Sequence, residues 1–178
     1  MNLGGGIFGS PVHLAVVKLK ISIIQSLIDK RADLNKQDSD GNTPLHLVMN
    51  IFSKNPERCS HILELLAMNG AKVNQKNHDH WAPLHTAVRK GQEKGVNAIV
   101  KLNKKLADKN LEQFDLNIAG GIQQWSSLHL AAHASQLQII VDLTMAGADI
   151  FQRNQTNQSA RHCAKGNYIM TKNIKLIE

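Results

Sequence analysis

Nine histidines among 178 residues are the groups best able to hold a metal or move a proton. His78-Asp79-His80 sets two imidazoles and a carboxylate in three consecutive residues. A metal site needs a further ligand at fixed geometry, and the flanking sequence offers none, so the triplet reads as an exposed polar turn. Five others, His13, His46, His85, His129 and His162, lie 33 to 44 residues apart. That spacing allots one imidazole to each structural unit and predicts a ladder, not a catalytic or metal cluster. Cys59 and Cys163 are far apart, fit a reducing compartment, and lack the paired spacing of a zinc site or a base beside either thiol. Cys59 is expected to be partly exposed beside a loop, and Cys163 to be small and buried. Gly4-Gly5-Gly6-Ile7-Phe8-Gly9 matches G-x-G-x-x-G, but no strand precedes it, so residues 1–9 read as a flexible or capping lead-in. Gly91-Gln92-Glu93-Lys94-Gly95 is not followed by the Gly-Lys-Ser/Thr of a phosphate loop. The expectation is no catalysis, no cofactor and no metal.

The five histidines belong to a longer repeat. Ser10-Pro11-Val12-His13-Leu14-Ala15 aligns with Thr43-Pro44-Leu45-His46-Leu47-Val48, Ala82-Pro83-Leu84-His85-Thr86-Ala87, Ser126-Ser127-Leu128-His129-Leu130-Ala131 and Ser159-Ala160-Arg161-His162-Cys163-Ala164. The units start at 10, 43, 82, 126 and 159, a period of 33 with insertions in the second and third. A second element follows in phase: Arg31-Ala32-Asp33-Leu34-Asn35, Gly70-Ala71-Lys72-Val73-Asn74 and Gly147-Ala148-Asp149-Ile150-Phe151, with a degenerate form ending Asp115-Leu116-Asn117.

Each unit must position these residues with two short helices. Thr43 and Ser126 can cap a helix, with a side-chain oxygen accepting from a first-turn N–H. Pro11, Pro44 and Pro83 follow at the first helical position, where the missing N–H costs nothing. Gly70 and Gly147 suit a left-handed stop. Apolar stripes of helical period run through Ile23, Ile24, Leu27 and Ile28, then Ile62, Leu63 and Leu66, then Ile139, Ile140 and Leu143. No unit can bury its apolar face alone, so neighbours must stack, and five suffice. The last helix is expected over about Tyr168 to Ile177, as a cap with one wet face.

The two motifs in phase resemble the ankyrin repeat family from about Ser10 to the end of the chain. The resemblance implies an all-α solenoid of helix-turn-helix units with hairpin connections, about five repeats including atypical ends, over 10–178. It implies that the repeated histidine bonds between neighbouring turns, and that contacts with partners lie on hairpin tips and the inner-helix face. Carried over repeat by repeat, those positions include Asn42 and Asn50; His78, Asp79, Trp81, Arg89 and Lys90; and Ile122, Gln123, Trp125 and His133. Ser39, Asp40, Ile51, Ala134, Gln155, Thr156 and Gln158 occupy the same class of position. Trp81 and Trp125 fall at the same place in adjacent repeats, and each can serve as a binding anchor, as packing against the next hairpin, or as both.

Two stretches depart from the period. Around Phe52 to Arg58, Pro56 and its polar neighbours predict a loop. After Lys90, Val96, Ile99, Val100, Leu102 and Leu106 extend the second helix, and Asn110 to Gln124 forms an extended connection. Each insertion is either a surface excursion or a contact for a partner.

Charge bounds the partners. The net charge of +7 favours acidic ones. Arg89, Lys90, Lys94, Lys101, Lys104, Lys105 and Lys109 cluster in the third repeat, as a solvated helix face or as an acidic docking site. No aromatic-interleaved basic motif accompanies them, so nucleic acid is the lesser alternative. No run of 18 apolar residues predicts a membrane span. The function expected is a protein-binding adaptor or scaffold, or a structural subunit of a larger complex. Its expected location is intracellular and cytoplasmic, with association to the cytoskeleton or another large assembly.

Overall fold

A computed structural model describes residues 9–164, and within them the polypeptide is helical. The helices are α1 Pro11–Val17, α2 Ile21–Asp29, α3 Pro44–Ile51, α4 Pro56–Met68, α5 Pro83–Arg89, α6 Glu93–Asp108, α7 Ser127–His133, α8 Leu137–Met145 and α9 Ala160–Cys163. The expected last helix, and Gly4 to Phe8 of the lead-in, lie outside the described residues.

The helices form two rows. α1, α3, α5, α7 and α9 touch in succession as an inner row, and α2, α4, α6 and α8 as an outer row. Between the rows runs one continuous core of Val16, Ile24, Leu45, Met49, Ile62, Leu66, Leu84, Ile99, Leu128, Ile139 and Leu143. The stacked solenoid expected from the repeat is therefore present. At the first repeat the stripe is incomplete: Ile24 is buried while Ile23 is 50% exposed. α2 packs on α1 and on α4, and Ile23 is not among the apolar residues packed against the core.

The turns repeat as faithfully as the helices. Gly70 and Gly147 both sit at φ +93° immediately after an outer helix, the left-handed stop read from sequence. Arg31 and Asn110 take the same role at φ 56° and 54° without glycine.

The first insertion is not the loop that Pro56 suggested. Phe52–Lys54 form one 3₁₀ turn, and Pro56 opens α4 at its first position, with the Asn55 side chain accepting from the Arg58 N–H at 3.0 Å. Proline tolerated at a helix start looks the same in sequence as proline in a loop. Phe52 is fully buried, against Gly95 of α6. Cys59, expected to be partly exposed, is fully buried in α4, and burial raises its thiol pKa. Cys163 is buried as expected.

The second insertion lengthens α6 to 16 residues, as its apolar period required. The connection then folds back. Asn103 clamps the Phe114 peptide, accepting from its N–H at 2.8 Å and donating to its carbonyl at 2.9 Å, and the Phe114 ring enters the core.

Candidate functional site

The repeated histidine builds the site's framework. It sits at the third position of each inner helix, where its Nδ1 accepts the backbone N–H of the residue that precedes the helix. The distances are 3.0 Å from Ser10, 3.1 Å from Thr43, 3.1 Å from Ala82, 3.2 Å from Ser126 and 3.3 Å from Ser159. The cap differs from the expected one, in which a hydroxyl served the first turn. The Thr43 hydroxyl instead lies 2.8 Å from the same imidazole nitrogen. Ala82 has no hydroxyl and keeps the bond, so the imidazole carries the cap.

An Nδ1 that accepts bears no proton, which leaves Nε2–H to donate. It donates to a carbonyl in the next hairpin: His13 to Asn42 at 2.9 Å, His46 to Trp81 at 2.8 Å, His85 to Trp125 at 3.0 Å and His129 to Gln158 at 2.9 Å. Burial disfavours the cationic ring at three of these sites. Desolvation lowers the pKa of His46 and His129 and takes His85 down to about 4, against the opposing pull of the carbonyls they bond. These are neutral structural imidazoles and not general acid–base groups.

The hairpin tips are tied to one another as well. His78 N–H donates to Asp40 O at 3.1 Å, Gly121 N–H to His80 O at 3.3 Å, and Gln155 N–H to Gln123 O at 3.0 Å. A row of tips thus stands beside the row of inner helices, and two adjoining hollows lie between them. One, of about 380 Å³, is lined by Asp40, Asn42, His78 and Asp79 from the tips and by Asn50, Arg89 and Lys90 from the helix ends. The other, of about 730 Å³, is lined by Trp81, Ile122, Gln123, Trp125 and Leu130. His78, Asp79 and Arg89 border both.

Twelve of the contact positions carried over from sequence, Ser39 and Asp40 among them, therefore line these hollows. His133 stands at the edge, its ring 5.0 Å from that of Trp125. Two placements temper the set. Ile51 is buried in the core and presents nothing to a partner. Asn42 is committed to the tips: its side-chain oxygen accepts from Asn77 at 3.0 Å, and its N–H donates to Asp38 at 2.8 Å.

Comparison with known proteins decides the family. The family model for "Ankyrin repeats (3 copies)" matches residues 12–113 and 49–154, most of the chain. The chain belongs to the ankyrin repeat family. Relatives of this ankyrin chain include Ankyrin repeat domain-containing protein 13C-A of Xenopus laevis, 32% identical over 123 residues, which are 69% of this chain and 23% of that protein. The human protein 13C is 30% identical over the same share of this chain and 21% of its own length. The Nuclear factor NF-kappa-B p105 subunit of Gallus gallus is 26% identical over 160 residues, 86% of this chain and 15% of that protein. The chain thus spans less than a quarter of the length of these relatives.

In this ankyrin array the two tryptophans do different work. Trp81 lies beneath the next hairpin, where a Cβ on Gly121 would collide with its six-membered ring and one on Gly120 would come within 3.0 Å of Cε3. Its ring also meets that of His85 at a tilt of 56°, centroids 5.1 Å apart, and carries the Arg89 guanidinium 5.1 Å from its centroid. Trp125 is half-buried beside His133, and its buried Nε1–H has no acceptor among the described residues. Packing and surface display are thus combined in Trp81. Gly121 escaped the sequence reading as a site residue; its signal was the Gly-Gly pair that precedes a tip.

The basic residues of the third ankyrin repeat do not converge. Arg89 and Lys90 face the tip hollow. Lys94 and Lys101 line a separate hollow among α4, α6 and α8, and Lys104 borders a third beside Phe114 and Met145. Lys105 pairs with Glu64 at 2.8 Å. His78-Asp79-His80 sits at a tip as expected, and among the described residues no three metal-capable side chains gather.

Proposed function

We propose that this chain is a non-catalytic module that docks a protein partner between its hairpin tips and the ends of α3, α5 and α7. It acts there as an adaptor or scaffold, or as a structural subunit of a larger assembly. Ankyrin repeats are in general protein-interaction modules, and the family is typically non-enzymatic. The observation that carries the reading here is the pair of adjoining hollows lined by Trp81, Arg89, Ile122 and Trp125. Ile122 is 87% exposed, an apolar side chain held in water at a fixed place. A surface already fixed by tip-to-tip and helix-to-tip bonds loses little freedom on binding.

The partner presents carboxylates to Arg89 and Lys90. A cytoplasmic setting suits the two buried thiols, and no helix among the described residues is long and apolar enough to cross a membrane. The scatter of the lysines over three hollows argues against a track for nucleic acid, which needs a contiguous basic path.

The test is affinity purification of the native chain beside an I122D/R89E variant, with mass spectrometry of what is retained. Proteins held by the native chain and lost from the variant support the assignment. An unchanged set of retained proteins contradicts it.

A further inference from the structure

The tip hollow has two walls of opposite sign. Asp40 and Asp79 stand on the tips, and Arg89 and Lys90 stand at the end of α5 across from them. All four are exposed. Among the described residues neither base is ion-paired, so neither lies within 4 Å of the two carboxylates, although all four line one hollow. The charges face the groove and leave each other unneutralised. Beyond Arg89 the groove opens into the Trp81–Trp125 hollow, where Ile122 and Leu130 add apolar surface.

Resting on the docking face proposed above, we propose that this groove takes an extended peptide segment of the partner with alternating charge and one apolar anchor. Successive side chains of an extended segment point to opposite sides. A segment lying between the two walls therefore directs a carboxylate to Arg89 and Lys90 and its neighbouring cationic side chain to Asp40 and Asp79. An aromatic or large aliphatic residue further along enters the hollow between the tryptophans. A uniformly acidic segment leaves Asp40 and Asp79 facing like charge, and a uniformly basic one does the same to Arg89 and Lys90. The site thus selects sign order and not net charge, by repulsion as much as by attraction.

The test is selection from a displayed library of random linear peptides against the immobilised native chain, followed by affinity measurement of the enriched peptides as synthetic, labelled probes. Enriched sequences are expected to carry acidic and basic residues at alternating positions beside one apolar residue. The R89E/K90E variant should weaken them by about tenfold or more, as should D40K/D79K. The variant with all four charges exchanged should bind the same peptides with their signs reversed. Circular dichroism confirms that each variant keeps its helices. Enriched peptides of one sign, or affinities indifferent to the four exchanges while I122D abolishes binding, overturn the two-wall proposal and leave the docking face standing. Peptides bound equally by the native chain, the charge variants and I122D, or no enrichment at all, overturn both. Labelled single-stranded RNA bound more tightly than any peptide, and released by R89E/K90E, overturns the proposal in favour of nucleic acid.

Discussion

Gly121 rests on the indole of Trp81, and the contact leaves no room for a Cβ. The glycine also has φ +66°, a backbone conformation costly for other residues. One residue of the third repeat thus fixes the approach of the fourth hairpin, and with it the position of Ile122 on the rim of the groove.

Gly121→Ala should therefore destabilise the array by about 2–4 kcal/mol, from backbone strain and overpacking together. Combined with Trp81→Ala, which clears the space, the loss should be smaller than the sum of the two single losses. Urea denaturation of the four proteins measures this coupling. Strict additivity would show that the two residues do not press on one another.

The imidazole ladder makes stability depend on pH. His85 has a pKa of about 4 when folded and 6.5 in a model peptide, and His46 and His129 are lowered in the same direction. Between those values the unfolded chain binds more protons than the folded one, so stability rises with pH. It should be full above about pH 6.5, fall as pH drops towards 4, and level off below. For His85 alone the loss is on the order of 3 kcal/mol. Denaturation midpoints across this range check the sign, and replacing His85 by Gln should flatten the slope.

Much of this architecture was legible in the chain, because the turn chemistry and the apolar period repeat together. Pro44 and Pro83 open helices, Gly70 and Gly147 close them, and Leu45, Leu84 and Leu128 all reach the core. That the candidate positions share one face followed from repeat register, since residues at equal register fall in one row. What escaped were pairings set by distant partners. Asn103 holds a peptide 11 residues away, Phe52 meets Gly95 across two helices, and Gly121 meets Trp81 across a whole repeat. Local sequence has no term for such contacts. Of the two readings of the lysines, the solvated face fits their placement better: closeness in sequence became three separate surroundings once α6 had one face against α4 and another against α8.

The second insertion is structural at its centre. Phe114→Ala should cost about 3–5 kcal/mol, as for a large ring removed from a packed core. Asn103→Ala should cost about 1–3 kcal/mol by stranding the Phe114 peptide groups. Substitutions at the exposed neighbours Leu111 and Glu112 should change stability by only about 0.5 kcal/mol. Thermal unfolding of the series separates a folded-back segment from a loose one.

The central claim is that the surface between tips and inner helices meets another protein. A photoreactive amino acid placed at Ile122 tests it in the cell, with the same group at exposed Lys109 on the outer row as a control. A discrete protein adduct from position 122, absent from position 109, is the predicted result. Adducts of equal yield from both positions, or adducts with nucleic acid alone, would contradict it.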